Sequence, residues 1–268
     1  MFRAGISISL LVVIFIFAVS AIVFPVYSSI DTDNFRRSTG FFQDITGKFI
    51  KPDFYAVHIS IAALAAYSLV TLILVLYHFE KTQTPELSFI AFFIISLVFE
   101  PVRLIVPLQY VFNIPSLYLL MASRILLFSR NFGLLSLFVA SIYAVGLESQ
   151  RQRNTTFVIA VIALTIALGT PVDTFSWSAN FEPISGWKSI FQIFNAGIFL
   201  LTTAGFLIAG YMQKSKSYIF ISAGAFLVLA GRNILLTTDN WAGLPGIIML
   251  GLGTWFMCAY LHRVYLWL

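Results

Sequence analysis

Apolar residues along the chain are gathered into eight long stretches. A helix needs about 20 mostly apolar residues to cross the roughly 30 Å hydrocarbon core of a bilayer. Polar turns such as Glu80–Glu86 and Glu148–Thr156 separate the stretches. The pattern predicts an all-α polytopic membrane protein with about eight transmembrane helices. The predicted helices are Ile6–Val26, Tyr55–Phe79, Leu87–Gln109, Ser116–Leu147, Phe157–Val172, Ile190–Met212, Tyr218–Thr237 and Pro245–Leu266.

Composition supports a membrane location and excludes a soluble globular protein. Of 268 residues, 59% are hydrophobic and only 10% are charged, whereas soluble domains carry about 25% charged residues. The 16 Lys and Arg exceed the 11 Asp and Glu, but no basic stripe with interleaved aromatics indicates nucleic-acid binding. We interpret the excess of basic residues as the charge that sets the orientation of the chain in the membrane. The prediction is a multi-pass protein of a bacterial inner (plasma) membrane, in contact with membrane lipids.

The basic residues predict the orientation of the chain. Short cytoplasmic loops are enriched in Lys and Arg. An even number of spans puts both termini on one side, and seven basic residues lie on that side against Lys188 alone in the short opposite loops. Both termini are therefore predicted to be cytoplasmic. The seven are Arg3, Lys81, Arg151, Arg153, Lys214, Lys216 and Arg263.

Two recurring spacings indicate an internal duplication. Pro25-Val26 is followed, after seven residues, by Asn34-Phe35, and Pro171-Val172 is followed at the same spacing by Asn180-Phe181. Arg103 and Arg232 likewise precede Pro115 and Pro245 by 12 and 13 residues. We infer a four-plus-four tandem repeat with parallel halves, although short apolar motifs also recur by chance. The predicted division is a first repeat at 1–147, a cytoplasmic linker at 148–156 and a second repeat at 157–268.

Several polar residues fall inside the predicted spans. A charge at membrane depth is costly and usually faces a bundle interior, a water-filled cavity or a partner. Helical rise places three arginines at similar depth in the outer half, as a predicted collar, and Arg130 deeper. The candidate ligand-binding residues are Arg103, Arg232, Arg124, Arg130, Glu100, Asn131 and Asn233. The collar consists of Arg103, Arg124 and Arg232.

Glu100 and Arg103 stand three residues apart, close enough to pair on one helical face. Pro101 between them removes a backbone donor and favours a kink. The other arginines then lack an acid within the membrane, so each needs an anionic ligand, a lipid head group or a partner subunit. The alternative is that they reach lipid phosphates or cap carbonyls of neighbouring helices.

The remaining sequence features do not indicate a binding site or a catalytic activity. Phe-Glu-Pro occurs at 99–101 inside a span and at 181–183 in an external loop, and these different settings argue against a shared role. Cys258 is the single cysteine and the three histidines are far apart, so we predict no metal and no cofactor. Hydrolase, P-loop and metalloprotease motifs are absent from the sequence, which favours a protein that is not an enzyme.

The sequence favours a membrane carrier or receptor that binds a small anion or anionic lipid head group. The cavity would lie between the two halves and be lined by arginines. One alternative is a quinone-binding, lipid-binding or sensory subunit that works with a partner subunit. Another is an enzyme that acts on a lipid-linked phosphate.

Overall fold

The structure is a computed structural model that describes residues 2–27, 51–79, 84–146 and 149–266. Asn34, Phe35 and Lys81, used above in the repeat and in the orientation, lie outside the described residues. Short 3-10 turns occur at Glu100–Leu104, Ser149–Arg151 and Trp241–Gly243. The helices are α1 (Phe2–Tyr27), α2 (Phe54–Phe79), α3 (Pro85–Leu97), α4 (Ile105–Phe112), α5 (Ser116–Val145), α6 (Gln152–Gly169), α7 (Lys188–Met212), α8 (Ser217–Thr237) and α9 (Pro245–Leu266).

Eight helical segments of the described chain are long and apolar enough to cross a membrane, which confirms the predicted number. The third segment, Pro85–Gln109, combines α3, a 3-10 turn and α4. Large apolar side chains such as Phe17, Ile193 and Leu200 remain exposed on the outer faces of the helices. Such a surface is tolerated in lipid and not in water. The protein is an integral multi-pass membrane protein.

The third span is broken where the sequence predicts a kink. Helix α3 ends at Leu97, and the chain continues as the 3-10 turn Glu100–Leu104 before α4 starts at Ile105. Pro101 has no backbone N–H to offer and cannot continue the α-helical ladder. Glu100 and Arg103 therefore lie on a short non-α segment inside the bundle, where both side chains are buried.

Helix α5 is central to the packing. It contacts α3, α6 and α7, and the absence of a side chain at Gly133 lets it approach α3: a Cβ there would lie 2.0 Å from Ser96 Oγ. Helices α8 and α9 pack even more intimately through facing glycines. A Cβ on Gly231 would lie 2.6 Å from the Gly246 carbonyl oxygen. Small residues thus set the closest helix contacts.

The fifth predicted span ends earlier than the sequence pattern suggests. Helix α6 stops at Gly169, and Val172 already belongs to strand β1 (Val172–Trp177), which pairs antiparallel with β2 (Pro183–Ser185). The apolar pattern of the sequence does not show this change from helix to strand, because Val occurs in both. The hairpin covers one end of the bundle: Phe181 stacks on Tyr27 at the end of α1 and on Phe54 at the start of α2.

Candidate functional site

A buried cluster of charges lies beneath the hairpin, with Glu100 at its centre. The Glu100 carboxylate accepts two hydrogen bonds from Arg130 of α5, both 2.8 Å long, from Nε and Nη2. Arg103 Nε lies 3.1 Å from Glu100 Oε2, an ion pair without hydrogen-bond alignment. Glu100 is 0% exposed. A charge removed this completely from water requires close counter-charges, and two arginines supply them.

The second carboxylate of the cluster comes from the hairpin. Glu182 Oε1 accepts a hydrogen bond from Nη1 of Arg130. The two Phe-Glu-Pro tripeptides thus place their glutamates, Glu100 and Glu182, on the same guanidinium. The expectation that these tripeptides share no role is therefore wrong, because the loop after α6 folds back onto the cluster.

Two further arginines complete the cluster. Arg103 Nη1 donates a hydrogen bond of 3.2 Å to the carbonyl oxygen of Asn180 in the hairpin. Arg232 of α8 donates from Nη2 to the carbonyl oxygen of Arg130, also at 3.2 Å. Arg103 and Arg232 are 2% and 5% exposed. Backbone carbonyls carry only partial charge, so these contacts solvate the guanidiniums without neutralising them.

Within the part of the chain that the structure describes, the cluster holds more positive than negative charge. Three guanidiniums, those of Arg103, Arg130 and Arg232, face two carboxylates, those of Glu100 and Glu182. Arg103 Nη2 and Arg232 Nε are buried and donate no hydrogen bond to any group that the structure describes. Arginine does not lose its proton to escape burial. Among the described residues, the arrangement therefore has one surplus positive charge and two open donors, apart from Arg103 Nε, which pairs with Glu100.

Arg124 does not belong to the cluster, and its place in the predicted collar is wrong. Its Nη1 donates to the carbonyl oxygens of Ala167 and Thr170 at the carboxyl end of α6. The last carbonyls of a helix have no partner within it and carry partial negative charge. Arg124 is thus the helix-capping residue that the sequence left open as an alternative, and Arg130 takes the third place in the cluster.

The two asparagines also stay apart from the charges. Asn131 is buried, but its side-chain amide donates to the carbonyl oxygen of Leu127, 2.7 Å away in its own helix. Asn233 lies on an exposed face of α8. One residue along a helix corresponds to a rotation of about 100°. Asn131 and Asn233, each next to an arginine of the cluster, therefore point away from the cluster.

Sequence reasoning missed the hairpin residues. Asn180, Phe181 and Glu182 contact three different parts of the bundle: the Asn180 side-chain amide donates to the carbonyl oxygen of Leu236 in α8, at 2.8 Å. Phe181 is buried with a φ of +60°, a conformation that bulky residues rarely adopt. The stacking on Tyr27 and Phe54 holds it there. The repeated Phe-Glu-Pro tripeptide was the sequence feature that could have pointed to Glu182. Its role becomes visible only once the loop folds back onto the cluster.

A second polar cluster joins α1 to α2, and its hydrogen bonds among the described residues are all to uncharged groups. Ser20 Oγ donates to the carbonyl oxygen of Ile16, so it is free to accept from Nε2 of His58, 2.7 Å away. Nδ1 of the same ring then accepts from the Tyr27 hydroxyl at 3.0 Å. This pattern satisfies a neutral imidazole. Both ring nitrogens of the buried His58 thus have a hydrogen-bond partner, and these two bonds connect α2 to α1.

The chain is similar to a protein of Treponema pallidum (strain Nichols) described as an uncharacterized protein. The two sequences are 24% identical over an alignment of 239 residues, and the match covers 70% of this chain and 69% of the relative. Neither that degree of identity nor that description assigns an activity. No protein-family model matches the chain, and no solved structure matches it.

Proposed function

We propose that this protein is a membrane carrier or receptor that binds a small anion or an anionic lipid head group at the cluster of Arg103, Arg130 and Arg232. The observation that carries the proposal is the surplus positive charge, together with the two buried donors on Arg103 and Arg232 that lack a partner among the described residues. An uncompensated buried charge costs several kcal/mol. A bound anion would remove that cost.

The break in the third span supports a binding role. Irregular backbone at membrane depth is tolerated where it is buried in protein or lines a cavity, and discontinuous helices commonly form the substrate sites of transporters. Here the break carries Glu100 and Arg103 into the cluster. That comparison is an analogy of architecture and does not identify the substrate.

The source of the cluster residues also fits the proposed four-plus-four plan. Glu100, Arg103 and Arg130 precede the linker at 148–156, whereas Glu182 and Arg232 follow it. We propose that the site lies between two parallel repeats, with Arg103 and Arg232 in corresponding positions. With both termini in the cytoplasm of a bacterial cell, the hairpin would cover the external face of the site.

Substitution of the two arginines with open donors tests the proposal. We expect Arg103→Gln and Arg232→Gln each to weaken anion binding about tenfold or more, because a hydrogen bond to a charged group contributes about 1.5–3 kcal/mol. Binding of chloride, acetate and phosphate is measured by calorimetry on purified protein in neutral nanodiscs. Phosphatidylglycerol nanodiscs test the lipid head group in the same way.

Arg124→Gln is the matched control, because Arg124 lies outside the cluster and caps α6. It should leave anion affinity unchanged while lowering the melting temperature. Equal anion affinity in the unmodified protein and in both cluster variants would contradict the proposal. Uptake of the bound anion into sealed proteoliposomes then distinguishes a carrier, which gives flux, from a receptor, which gives binding alone.

A further inference from the structure

We propose that the ligand of this cluster is a monocarboxylate, whose carboxylate takes the place on Arg130 that Glu182 holds in this structure. The inference rests on the proposed function and names the chemical class of its ligand. Glu182 would then act as an internal competitor: it neutralises Arg130 while the site is empty and swings aside when the ligand binds.

The two glutamates on Arg130 are held very differently. Glu100 binds the Nε and Nη2 edge with both oxygens, and its side chain is 0% exposed. Glu182 reaches only Nη1, and its side chain is 22% exposed. A bidentate, fully buried carboxylate is fixed in place, whereas a single-contact, partly exposed one can be replaced. The Nη1 side of Arg130 is thus the exchangeable position.

Exchange at that position needs the movement of one side chain only. Other contacts anchor the hairpin backbone at Glu182 and at the residue before it. Ser178 N donates to the Glu182 carbonyl oxygen at 2.9 Å, and the neighbouring Phe181 is buried between Tyr27 and Phe54. Rotation of the Glu182 side chain breaks none of these contacts. The hairpin can therefore remain folded while its carboxylate leaves Arg130.

Likeness to the side chain that it replaces favours a monocarboxylate over other anions. A monocarboxylate that takes the place of Glu182 carries the same single charge, so the exchange leaves the charge balance of the cluster as it is. The position is already filled by a carboxylate, whose planar oxygens match the planar guanidinium fork. Chloride lacks that directional match. Arg130 is 18% exposed at its side chain, which leaves a route for a ligand from water or from the bilayer.

Substitution of Glu182 provides the test, with acetate, laurate, phosphate and chloride as probes. The protein is assayed by calorimetry in phosphatidylcholine nanodiscs at fixed ionic strength. We expect Glu182→Gln, which keeps the shape but removes the competing charge, to bind acetate about tenfold more tightly than the unmodified protein. Asp173→Asn is the control, since this exposed carboxylate lies on the same hairpin and accepts from Ser176. It should leave acetate affinity unchanged.

The two natural sources of a carboxylate give different results in the same assay. Laurate and acetate of similar affinity indicate a water-borne monocarboxylate. Laurate bound far more tightly indicates a fatty acid from the bilayer. If Glu182→Gln does not fold, Glu182→Asp replaces it, because the shorter side chain withdraws the charge from Arg130, and its acetate affinity should rise as well.

Several outcomes would overturn the inference. Unchanged or weaker acetate binding in the Glu182 variants means that Glu182 is a fixed part of the site. Tighter binding of phosphate or chloride than of acetate in both proteins rejects the carboxylate class while leaving the proposed function standing. Failure of every probe to bind either protein rejects the proposed function itself. Acetate binding by the Glu182→Gln protein and not by the unmodified protein supports the inference and the proposed function. Glu182 then excludes acetate from Arg130 in the unmodified protein.

Discussion

Replacement of Glu100 by Gln is expected to lower the free energy of unfolding by about 3–5 kcal/mol, the cost of removing one partner from a buried ion pair. The substitution leaves Glu182 as the only carboxylate known to contact these guanidiniums within the described part of the chain, and it raises the surplus charge from one to two. Thermal unfolding of purified protein in a mild detergent gives the measurement. A loss this large can also appear as low recovery of folded protein.

A double variant separates charge imbalance from loss of packing. Glu100→Gln combined with Arg130→Gln removes one charge of each sign and restores a surplus of one. We expect the double variant to be more stable than the sum of the two single variants predicts, because these residues share two hydrogen bonds. A Glu100→Gln protein that melts at the temperature of the unmodified protein would show that the cluster does not hold these helices together.

Substitution of glycines in α9 is expected to give effects of opposite sign at two positions two residues apart. A Cβ on Gly253 would lie 2.7 Å from the Gly224 carbonyl oxygen and 2.8 Å from the Val228 backbone nitrogen. Helices α8 and α9 must separate to accept it, so Gly253→Ala should destabilise the protein by about 1–3 kcal/mol. At Gly251 a Cβ meets nothing within 4 Å.

Gly251→Ala is therefore the matched control. It should be neutral or stabilising by up to about 1 kcal/mol, because Ala has the higher helix propensity and no contact opposes it. Melting temperatures of the two variants, prepared side by side, test the difference. Equal melting temperatures would contradict the close approach of α8 and α9, and with it the placement of Arg232 against the backbone of α5.

The charged cluster links these stability effects to the proposed binding site. Glu100, whose neutralisation lowers the stability, lies against the arginines that would contact the ligand, and a ligand that binds the folded state raises its apparent stability. Binding of acetate should therefore raise the melting temperature of the protein. Arg124, whose hydrogen bonds within the described chain go to carbonyls at the end of α6, provides the reference for an arginine without that link.

Local sequence properties determined the membrane architecture. Each span is recognisable because about 20 consecutive apolar residues suffice to cross a bilayer, whatever the neighbouring helices do. The break at Pro101 was also predictable, since the missing N–H acts within one turn of helix. The four-plus-four repeat and the cytoplasmic termini stay predictions.

Tertiary structure alone decided which polar residues meet. The charge of Arg124 and Arg130 is visible in the sequence, but their partners depend on which way each faces: Arg124 turns to the end of α6 and Arg130 to Glu100. The same rotation excludes Asn233. Glu182 joins because a hairpin folds back onto the bundle, a long-range event that no short window of sequence encodes. The apolar pattern determines that a helix spans the membrane, whereas packing determines which charges it brings together.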